Sequence, residues 1–498
     1  MKDVKRKMAK GAAWMIGFKL AQRSLTLISM IVLARLLVPA DFGLVAMGTA
    51  FIAALELFSA FNFDVALIQH EDPQPVHFNT VWTVQFLFAL SIALLLLIFA
   101  ESLSHFFDEP RLTFILFALS AGTVIGGLEN IGVVTFRKEL QFDKEFLFMF
   151  SSQAVGFLVT MIAAVALRSY WALVFGIVAT RFARVTASFV MSPYRPRPSV
   201  AAFAELFRYS KWLYLSNLLR FLRFRSVDFI IAKLAGPAAL GTYSVAFEVA
   251  AIPTTEMVAP INRAVLPGYV KIAHDMAELR KGYLEVIGLI ALLAIPAAAG
   301  IAASSELLVM VLLGDKWAAA TPLISILGLS GAIMAMESNI GSVYMAIGKP
   351  QMLTFLSGFY VVILIPLLVY LTIQFGVVGA AWACLIAGIT NVPVYYGAMF
   401  RTLNLRISEF VATVWRPLIS SVIMYFVVRE FQRLAGSDLS SLTAMPWLFA
   451  AVGVGIVVYL VSIALFWQIG GQPEGAEATV LAETQKHLGG IRKRLRAA

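Results

Sequence analysis

Four charged residues lie in the middle of one apolar stretch of the sequence, 209–241, which is long enough to cross a bilayer. They are Arg220, Arg223, Arg225 and Asp228. A charge at the bilayer centre costs about 2.5–3.5 kcal/mol on insertion scales, so these side chains require water, a partner or a ligand. Arg225 and Asp228 are three residues apart and can pair along a helix. Arg220 and Arg223 have no acidic residue within pairing reach on their own helix, so we expect them to bind an anionic ligand in a hydrated cavity.

Two further apolar segments carry basic and polar residues at helical spacing. In the first segment, near 11–37, one helix face carries Lys19, Gln22, Arg23 and Thr26. In the segment near 170–192, two arginines lie toward one end and are interpreted as an entry step. Arginine suits an anionic ligand because its planar guanidinium group donates two hydrogen bonds to one phosphate. The predicted substrate-binding set is Arg220, Arg223, Lys19, Arg23, Gln22, Asn217, Arg181 and Arg184.

Acidic residues within apolar segments allow two interpretations. Glu248 and Glu256, or Asp64, could bind a proton or a sodium ion and couple transport to a gradient. Alternatively, these acids could pair structurally with the arginines, and both interpretations remain open. Further acids that could serve as such partners are Glu56, Glu129 and Glu337.

Neither a metal centre nor a catalytic site is predicted. His70 and His77 are seven residues apart without further ligands, and the single cysteine, Cys384, excludes a cysteine-based cluster. A bound proton or sodium ion is therefore the one cofactor-like species that we consider.

The composition indicates a membrane protein. Of 498 residues, 60% are hydrophobic and 14% are charged, and the mean hydropathy is +0.84. Uncharged segments such as 79–100 and 286–305 match the roughly 20 residues that cross a bilayer. We predict an all-α polytopic membrane protein with about fourteen transmembrane helices.

Basic residues alternate between the two sides of these spans. Lysine and arginine total 39 against 29 aspartates and glutamates, and most of the excess lies in every second loop and at both ends of the chain. The positive-inside rule then predicts cytoplasmic N- and C-termini, as an even number of spans requires. Because the charge sorts by membrane side, we do not expect nucleic-acid binding.

The sequence contains an internal repeat. Residues 34–43, ARLLVPADFG, recur 198 residues later as AKLAGPAALG, and the Asn-Ile-Gly at 130–132 recurs 209 residues later at 339–341. Six spans thus repeat as six in the same orientation, which predicts two pseudo-symmetric bundles with the substrate site between them. The predicted parts are an N-terminal bundle (1–192), a cytoplasmic linker (193–208), a C-terminal bundle (209–400), two additional helices (401–467) and a basic cytoplasmic tail (468–498).

The run ARLLVPADFGLVAM at 34–47, after a basic N-terminus, resembles the polysaccharide transporters of the multidrug, oligosaccharidyl-lipid and polysaccharide flippase superfamily. Within that branch it is most similar to Wzx-type exporters of the colanic-acid and succinoglycan kind. The resemblance implies a flippase that moves undecaprenyl-pyrophosphate-linked oligosaccharides across the bacterial plasma (inner) membrane for exopolysaccharide, capsule or lipopolysaccharide synthesis. It also implies contact with membrane lipids and leaves open docking of a polysaccharide polymerase or export machinery.

Three other functions compete with this interpretation. A cation-coupled multidrug exporter would favour an acidic, aromatic cavity, which Arg220 and Arg223 argue against. A lipid-linked peptidoglycan-precursor flippase would share the number of spans and a cationic cavity. A membrane enzyme would need catalytic residues on sizeable loops, and the predicted loops are too short. The sequence therefore predicts a transporter and not an enzyme.

Overall fold

The computed structural model describes residues 2–57, 63–70, 72–434, 441–473 and 475–478, and these contain helices and no strand. The α-helices are α1 (Lys2–Leu36), α2 (Pro39–Glu56), α3 (Phe63–Gln69), α4 (Pro75–Phe106), α5 (Arg111–Gly127), α6 (Val134–Lys138), α7 (Phe142–Leu167), α8 (Trp171–Met191), α9 (Phe203–Ala250), α10 (Ala259–Ile272), α11 (Met276–Ala303), α12 (Ser305–Leu308), α13 (Ala320–Ala346), α14 (Gln351–Leu403), α15 (Ile407–Arg433) and α16 (Ser441–Ile469). The predicted all-α membrane fold is confirmed.

Eleven of the described helices are long and apolar enough to cross a membrane, or twelve if the bent pair α5 and 131–138 forms one span. Two of the eleven are too long for a single crossing, because an α-helix rises 1.5 Å per residue and the hydrocarbon core is about 30 Å thick. Each is interrupted by a glycine with positive φ, Gly236 in α9 and Gly376 in α14. These breaks are compatible with the predicted count of about fourteen spans.

The chain forms two compact units, Met1–Ser244 and Val245–Ala498. In the first unit, α7 packs along α8, α4 along α5, and α1 along α7. In the second unit, α11 packs against both α13 and α15. The core of the second unit is rich in tyrosine, and Tyr283 and Tyr344 are fully buried within it. Each unit therefore has a helical core of its own.

The repeated motif explains a close helix crossing within the first unit. A side chain on Gly43 would collide with the carbonyl oxygen of Pro237, and one on Gly241 would collide with the carbonyl oxygen of Pro39. These are corresponding residues of the two motif copies, so the glycine of each copy lies against the proline carbonyl group of the other. Glycine is required at both positions because the two backbones touch.

An extended strap, 192–202, follows α8 and lies along α4. The backbone amides of Arg197 and Ser199 donate to Asn79 Oδ1 (2.8 Å) and Thr83 Oγ1 (2.9 Å). The Tyr194 hydroxyl also donates to Asn79 Oδ1, at 2.7 Å. This strap is the first part of the predicted linker, and α9 begins directly after it at Phe203. Side chains of α4 thus satisfy backbone groups that an irregular segment would otherwise leave to water.

Candidate functional site

Two adjoining polar cavities lie inside the first unit, with volumes of about 430 and 280 Å³. Both are bounded by Asp64, Gln85, Glu129 and Arg184. Together they form one charged site, which we call the first-unit cavity. Its ionisable side chains are Glu56, Asp64, Glu129, Arg137, Glu145, Arg181 and Arg184. Four carboxylates thus face three guanidinium groups inside a membrane protein.

Arg181 on α8 lies between a hydroxyl and a carboxylate. Its Nη1 donates to Thr123 Oγ1 at 2.7 Å, and its Nη2 lies 3.2 Å from Glu56 Oε1. The side chain of Arg181 is 25% exposed and that of Glu56 is 47% exposed. Since both remain in contact with the cavity's open space, the pair can be reached by a ligand.

Arg184, one helical turn further along α8, pairs with Glu129. Its Nε lies 2.6 Å from Glu129 Oε2, and its guanidinium carbon lies 5.4 Å from the centre of the Phe148 ring. The ring supports one face of the guanidinium group through a cation–π contact. Arg184 borders both parts of the first-unit cavity.

Arg137 closes the far end of the site between two acids from other helices. Its Nη1 lies 3.8 Å from Asp64 Oδ2, and its Nε forms a short hydrogen bond with Glu145 Oε1. The neighbouring Lys138 donates to the carbonyl oxygen of His70, just past the end of α3. This basic pair therefore ties α6 to α3 and fixes Asp64 at the cavity.

A break in the helical path brings Glu129 into the site. The chain bends by 61° between α5 and the segment 131–138. Asn130 stabilises the bend, since its Oδ1 accepts from the amide of Gly132 at 2.9 Å and its Nδ2 donates to the carbonyl oxygen of Tyr194 at 2.6 Å. Glu129 precedes this cap and so points across the cavity rather than along a continuous helix.

The orientation of α8 is fixed by its crossing with α7. A side chain on Gly156 would collide with Thr180 Oγ1, and one on Gly176 would collide with Thr160 Oγ1. Close approach of small residues is the usual way in which membrane helices pack tightly. Because Thr180 directly precedes Arg181, this crossing determines which face of α8 meets the cavity.

The structure brings together three residues of the predicted site: Arg181, Arg184 and the candidate coupling residue Asp64. It also shows that both arginines make the acidic pairings that were the alternative interpretation. The predicted pair of Arg225 with Asp228 is confirmed at 2.9 Å.

The other predicted residues lie elsewhere. Gln22, Arg23 and Arg223 are half-buried and Lys19 is exposed, and none of these four borders the first-unit cavity as described. The side chains of Asn217 and Arg220 lie outside the described residues, although both positions are within α9. Glu248 and Glu256 are exposed and belong to the second unit.

Sequence reasoning missed four cavity residues: Gln85, Thr123, Arg137 and Glu145. No helical spacing links them, since they come from four different helical elements. One signal was available in the internal repeat. Asp64 and Glu129 correspond to the uncharged Asn262 and Ser338 at the repeat offsets of 198 and 209 residues, so the charge occurs in one copy only.

Comparisons with known proteins give a consistent result. Residues 32–322 match a family model described as polysaccharide biosynthesis protein. The chain is 25% identical over 465 residues to the succinoglycan biosynthesis transport protein ExoT of Rhizobium meliloti (strain 1021), covering 92% of this chain and 93% of that protein. It is 23% identical over 429 residues to the lipopolysaccharide biosynthesis protein WzxC of Escherichia coli (strain K12), covering 84% and 86%.

The fold also matches a solved transporter structure. The lipid II flippase MurJ in an inward closed conformation superimposes with a TM-score of 0.72 at 16% identity, covering 91% of this chain and 99% of that structure. At this identity the likeness concerns the fold alone.

Proposed function

Because the chain belongs to the polysaccharide biosynthesis protein family, we propose that this multi-pass membrane protein is a flippase for lipid-linked oligosaccharides. Its substrate is an undecaprenyl-pyrophosphate-linked repeat unit, carried from the cytoplasmic to the outer leaflet of the bacterial plasma membrane. The names of its relatives, a succinoglycan transport protein and a lipopolysaccharide biosynthesis protein, support this assignment. The reaction breaks no covalent bond, so the protein acts as a transporter.

The observation that carries the proposal is the pair of arginines in the first-unit cavity. A sugar pyrophosphate is anionic and too polar to cross hydrocarbon unaided, so its carrier needs hydrated cationic groups at membrane depth. Arg181 and Arg184 lie one helical turn apart on α8, and both border the same cavity. Two neighbouring guanidinium groups match the two phosphates of a pyrophosphate.

Exchange of partners explains how bound arginines can still take a substrate. An exposed ion pair contributes only about 0–1 kcal/mol, and the Arg181–Glu56 pair is of this kind. A phosphate that accepts two hydrogen bonds from the same guanidinium group can displace the glutamate. After release, Glu56 and Glu129 close on the arginines again, so the cavity returns to its resting state without an unpaired charge.

The remaining predicted residues complete the proposal. Lys19, Gln22 and Arg23 on α1 and Asn217, Arg220 and Arg223 on α9 form further headgroup contacts during alternating access between cytoplasmic and outer openings. Coupling to a proton or sodium gradient is assigned to Glu248, Glu256 or Asp64. Both termini are cytoplasmic, and a polymerase or export complex receives the unit.

The test is complementation of a bacterial strain that lacks its polysaccharide flippase. The variant Arg181→Gln plus Arg184→Gln should reduce surface polymer at least about tenfold at matched membrane expression, because charge-assisted hydrogen bonds contribute about 1.5–3 kcal/mol each. Lipid-linked units should then accumulate on the cytoplasmic face.

Arg111→Gln is the matched control, since Arg111 is an ion-paired arginine of the same unit outside the cavity, 2.7 Å from Glu109. Normal export by the double variant would show that Arg181 and Arg184 do not bind the substrate. If wild type fails to restore polymer but rescues a strain depleted of its lipid-linked peptidoglycan-precursor flippase, that alternative substrate replaces the one proposed. If the protein rescues neither strain but confers resistance to cationic drugs, it is a multidrug exporter.

A further inference from the structure

A separate polar cavity of about 640 Å³ lies in the second unit, between the ends of α11, α13 and α15. It borders Ala302 and Ala303, whereas the opposite end of α11 carries the short ion pair of Arg280 with Glu409. The basic loops of this unit cluster at that opposite end. On the topology proposed above, the cavity therefore opens on the outer side of the membrane.

The lining of this outer cavity is amphiphilic. Its apolar surface is formed by alanine, leucine, methionine and isoleucine side chains. Its polar surface carries hydroxyl, phenol, amide, carboxylate and guanidinium groups. These belong to Ser305, Glu306, Thr321, Ser325, Tyr425, Arg429, Gln432 and Arg433. The volume lies within the range of about 300–1,000 Å³ typical of small-ligand sites.

Contacts within the cavity fix several of these groups and leave others for a ligand. Gln432 Nε2 donates to the carbonyl oxygen of Ala303 at 3.0 Å, which leaves the amide oxygen as an acceptor. Arg429 Nη1 donates to the Tyr425 hydroxyl at 3.3 Å. Within the described part of the chain, no acidic group lies at ion-pair distance from Arg429, and no basic group from Glu306.

The charge of the outer cavity is balanced. Arg433 Nη1 lies 2.7 and 2.9 Å from the two carboxylate oxygens of Glu430. The other two charged residues of the lining are one arginine, Arg429, and one acid, Glu306. A strongly anionic ligand such as a phospholipid headgroup would be expected to select a net positive site. Mixed donors and acceptors beside an apolar wall instead suit a ring that presents hydroxyl groups at its edge and C–H groups on its face.

We propose that the outer cavity binds a saccharide, neutral or carrying one carboxylate, after it has reached the outer side of the membrane. Arg429, Glu306 and Gln432 bind ring hydroxyls through paired hydrogen bonds, and Tyr425 adds a further donor. The inference rests on the proposed function for the source of the sugar. Since α15 lies outside the two six-span repeats, this site has no counterpart in the internal repeat.

Saturation-transfer NMR tests the proposal directly. The full chain in nanodiscs of zwitterionic lipid is mixed with D-glucose, D-galactose or D-glucuronate. At least one of them should receive saturation from wild type. The variant Glu306→Gln plus Arg429→Gln should weaken that binding at least about tenfold, since each charged partner contributes about 1.5–3 kcal/mol. Tyr425→Phe, which keeps the ring, should weaken it less.

The matched control is Glu101→Gln plus Arg401→Gln, which makes the same two changes at exposed residues outside the cavity. Equal melting temperatures of the variants exclude misfolding. No saturation of any of the three sugars by wild type, or undiminished binding by the cavity variant, would overturn the proposal. So would native mass spectra, recorded on protein purified from bacterial membranes before reconstitution, in which wild type retains phosphatidylglycerol and the cavity variant has lost it. Because the assay involves no translocation, failed complementation with intact sugar binding would refute the flippase and not this site.

Discussion

Corresponding positions of the two repeats hold opposite kinds of polar chemistry. In the first unit, Asp64 and Glu129 are ion-paired with arginines at the edge of an open cavity. Their counterparts, Asn262 and Ser338, are hydrogen-bonded to each other at 2.8 Å. Asn262 also accepts from Asn339 at 2.8 Å. The first unit thus places charge where the second unit places neutral groups.

This difference assigns ligand binding to the charged positions of the first unit and packing to the neutral positions of the second. Neutral amides and hydroxyls satisfy one another inside the second unit, and Asn339 is fully buried there. Such a network contributes to stability, about 0.5–1.5 kcal/mol for each hydrogen bond. The charged counterparts in the first unit stay partly exposed, so they can exchange their partners for a ligand. We infer that these particular positions serve the substrate in one copy of the repeat and support the fold in the other.

Reversing one charge in the first unit should have the largest effect. Arg184→Glu would place a carboxylate beside Glu129 and remove a phosphate donor. We expect polymer export to fall about 10- to 150-fold, the factor that corresponds to 1.5–3 kcal/mol. Export is measured in the complementation strain and normalised to folded protein. Tyr395→Glu changes the corresponding position of the second unit, at the offset of 211 residues that relates Trp171 to Trp382. An equal loss of export there without unfolding would contradict the comparison.

Removing one polar group at the equivalent position of each unit tests the same difference with a smaller change. Glu129→Gln removes the acid that competes with phosphate for Arg184, so release should slow and export should fall about 3- to 10-fold. Ser338→Ala, at the equivalent position, should leave export per folded molecule within about twofold, because that network meets no substrate. Transport rates are measured in proteoliposomes. Similar rates for the two variants would show that Glu129 and Ser338 do not differ in their role in transport.

The stability of the protein should depend more on the neutral network of the second unit than on the charged residues of the first. Asn339→Ala deprives Asn262 and the buried Tyr269 hydroxyl of hydrogen-bond partners. We expect the free energy of unfolding to fall by about 1–3 kcal/mol. Thermal unfolding in detergent measures this, with the exposed Gln351→Ala as the control. A melting temperature unchanged from wild type would show that the neutral network does not stabilise the second unit.

The smallest expected effect concerns the strap. The Tyr194 hydroxyl donates to Asn79, and burial raises the pKa of this hydroxyl above its ordinary value. Tyr194→Phe should lower stability by about 0.5–1.5 kcal/mol and leave the charged site intact. The exposed Tyr370→Phe is the control. Loss of export without loss of stability would give the strap a direct role in transport.

The sequence predicted the fold class because hydrophobic length is a local property: each span is apparent from about 20 consecutive residues. The pairing of Arg225 with Asp228 followed equally from local spacing. The first-unit cavity is not local, since Arg181 and Glu56 are 125 residues apart and meet only through helix packing. The spacing of charges in 209–241 therefore predicted the Arg225–Asp228 pair, but no local pattern predicted which charges the first unit gathers in one cavity.

The crossing of α7 with α8 has a consequence for how such proteins diversify. Gly156, Thr160, Gly176 and Thr180 hold the two helices together through atoms close to the backbone. Arg181 projects from another face of α8 and takes no part in that contact, whereas Arg184 follows Thr180 by one turn and also packs on Phe148 of α7. Mutation of Arg181 can therefore alter the recognised headgroup while the helix pair keeps its alignment, so a new cargo specificity at this position need not disturb the packing of α7 with α8.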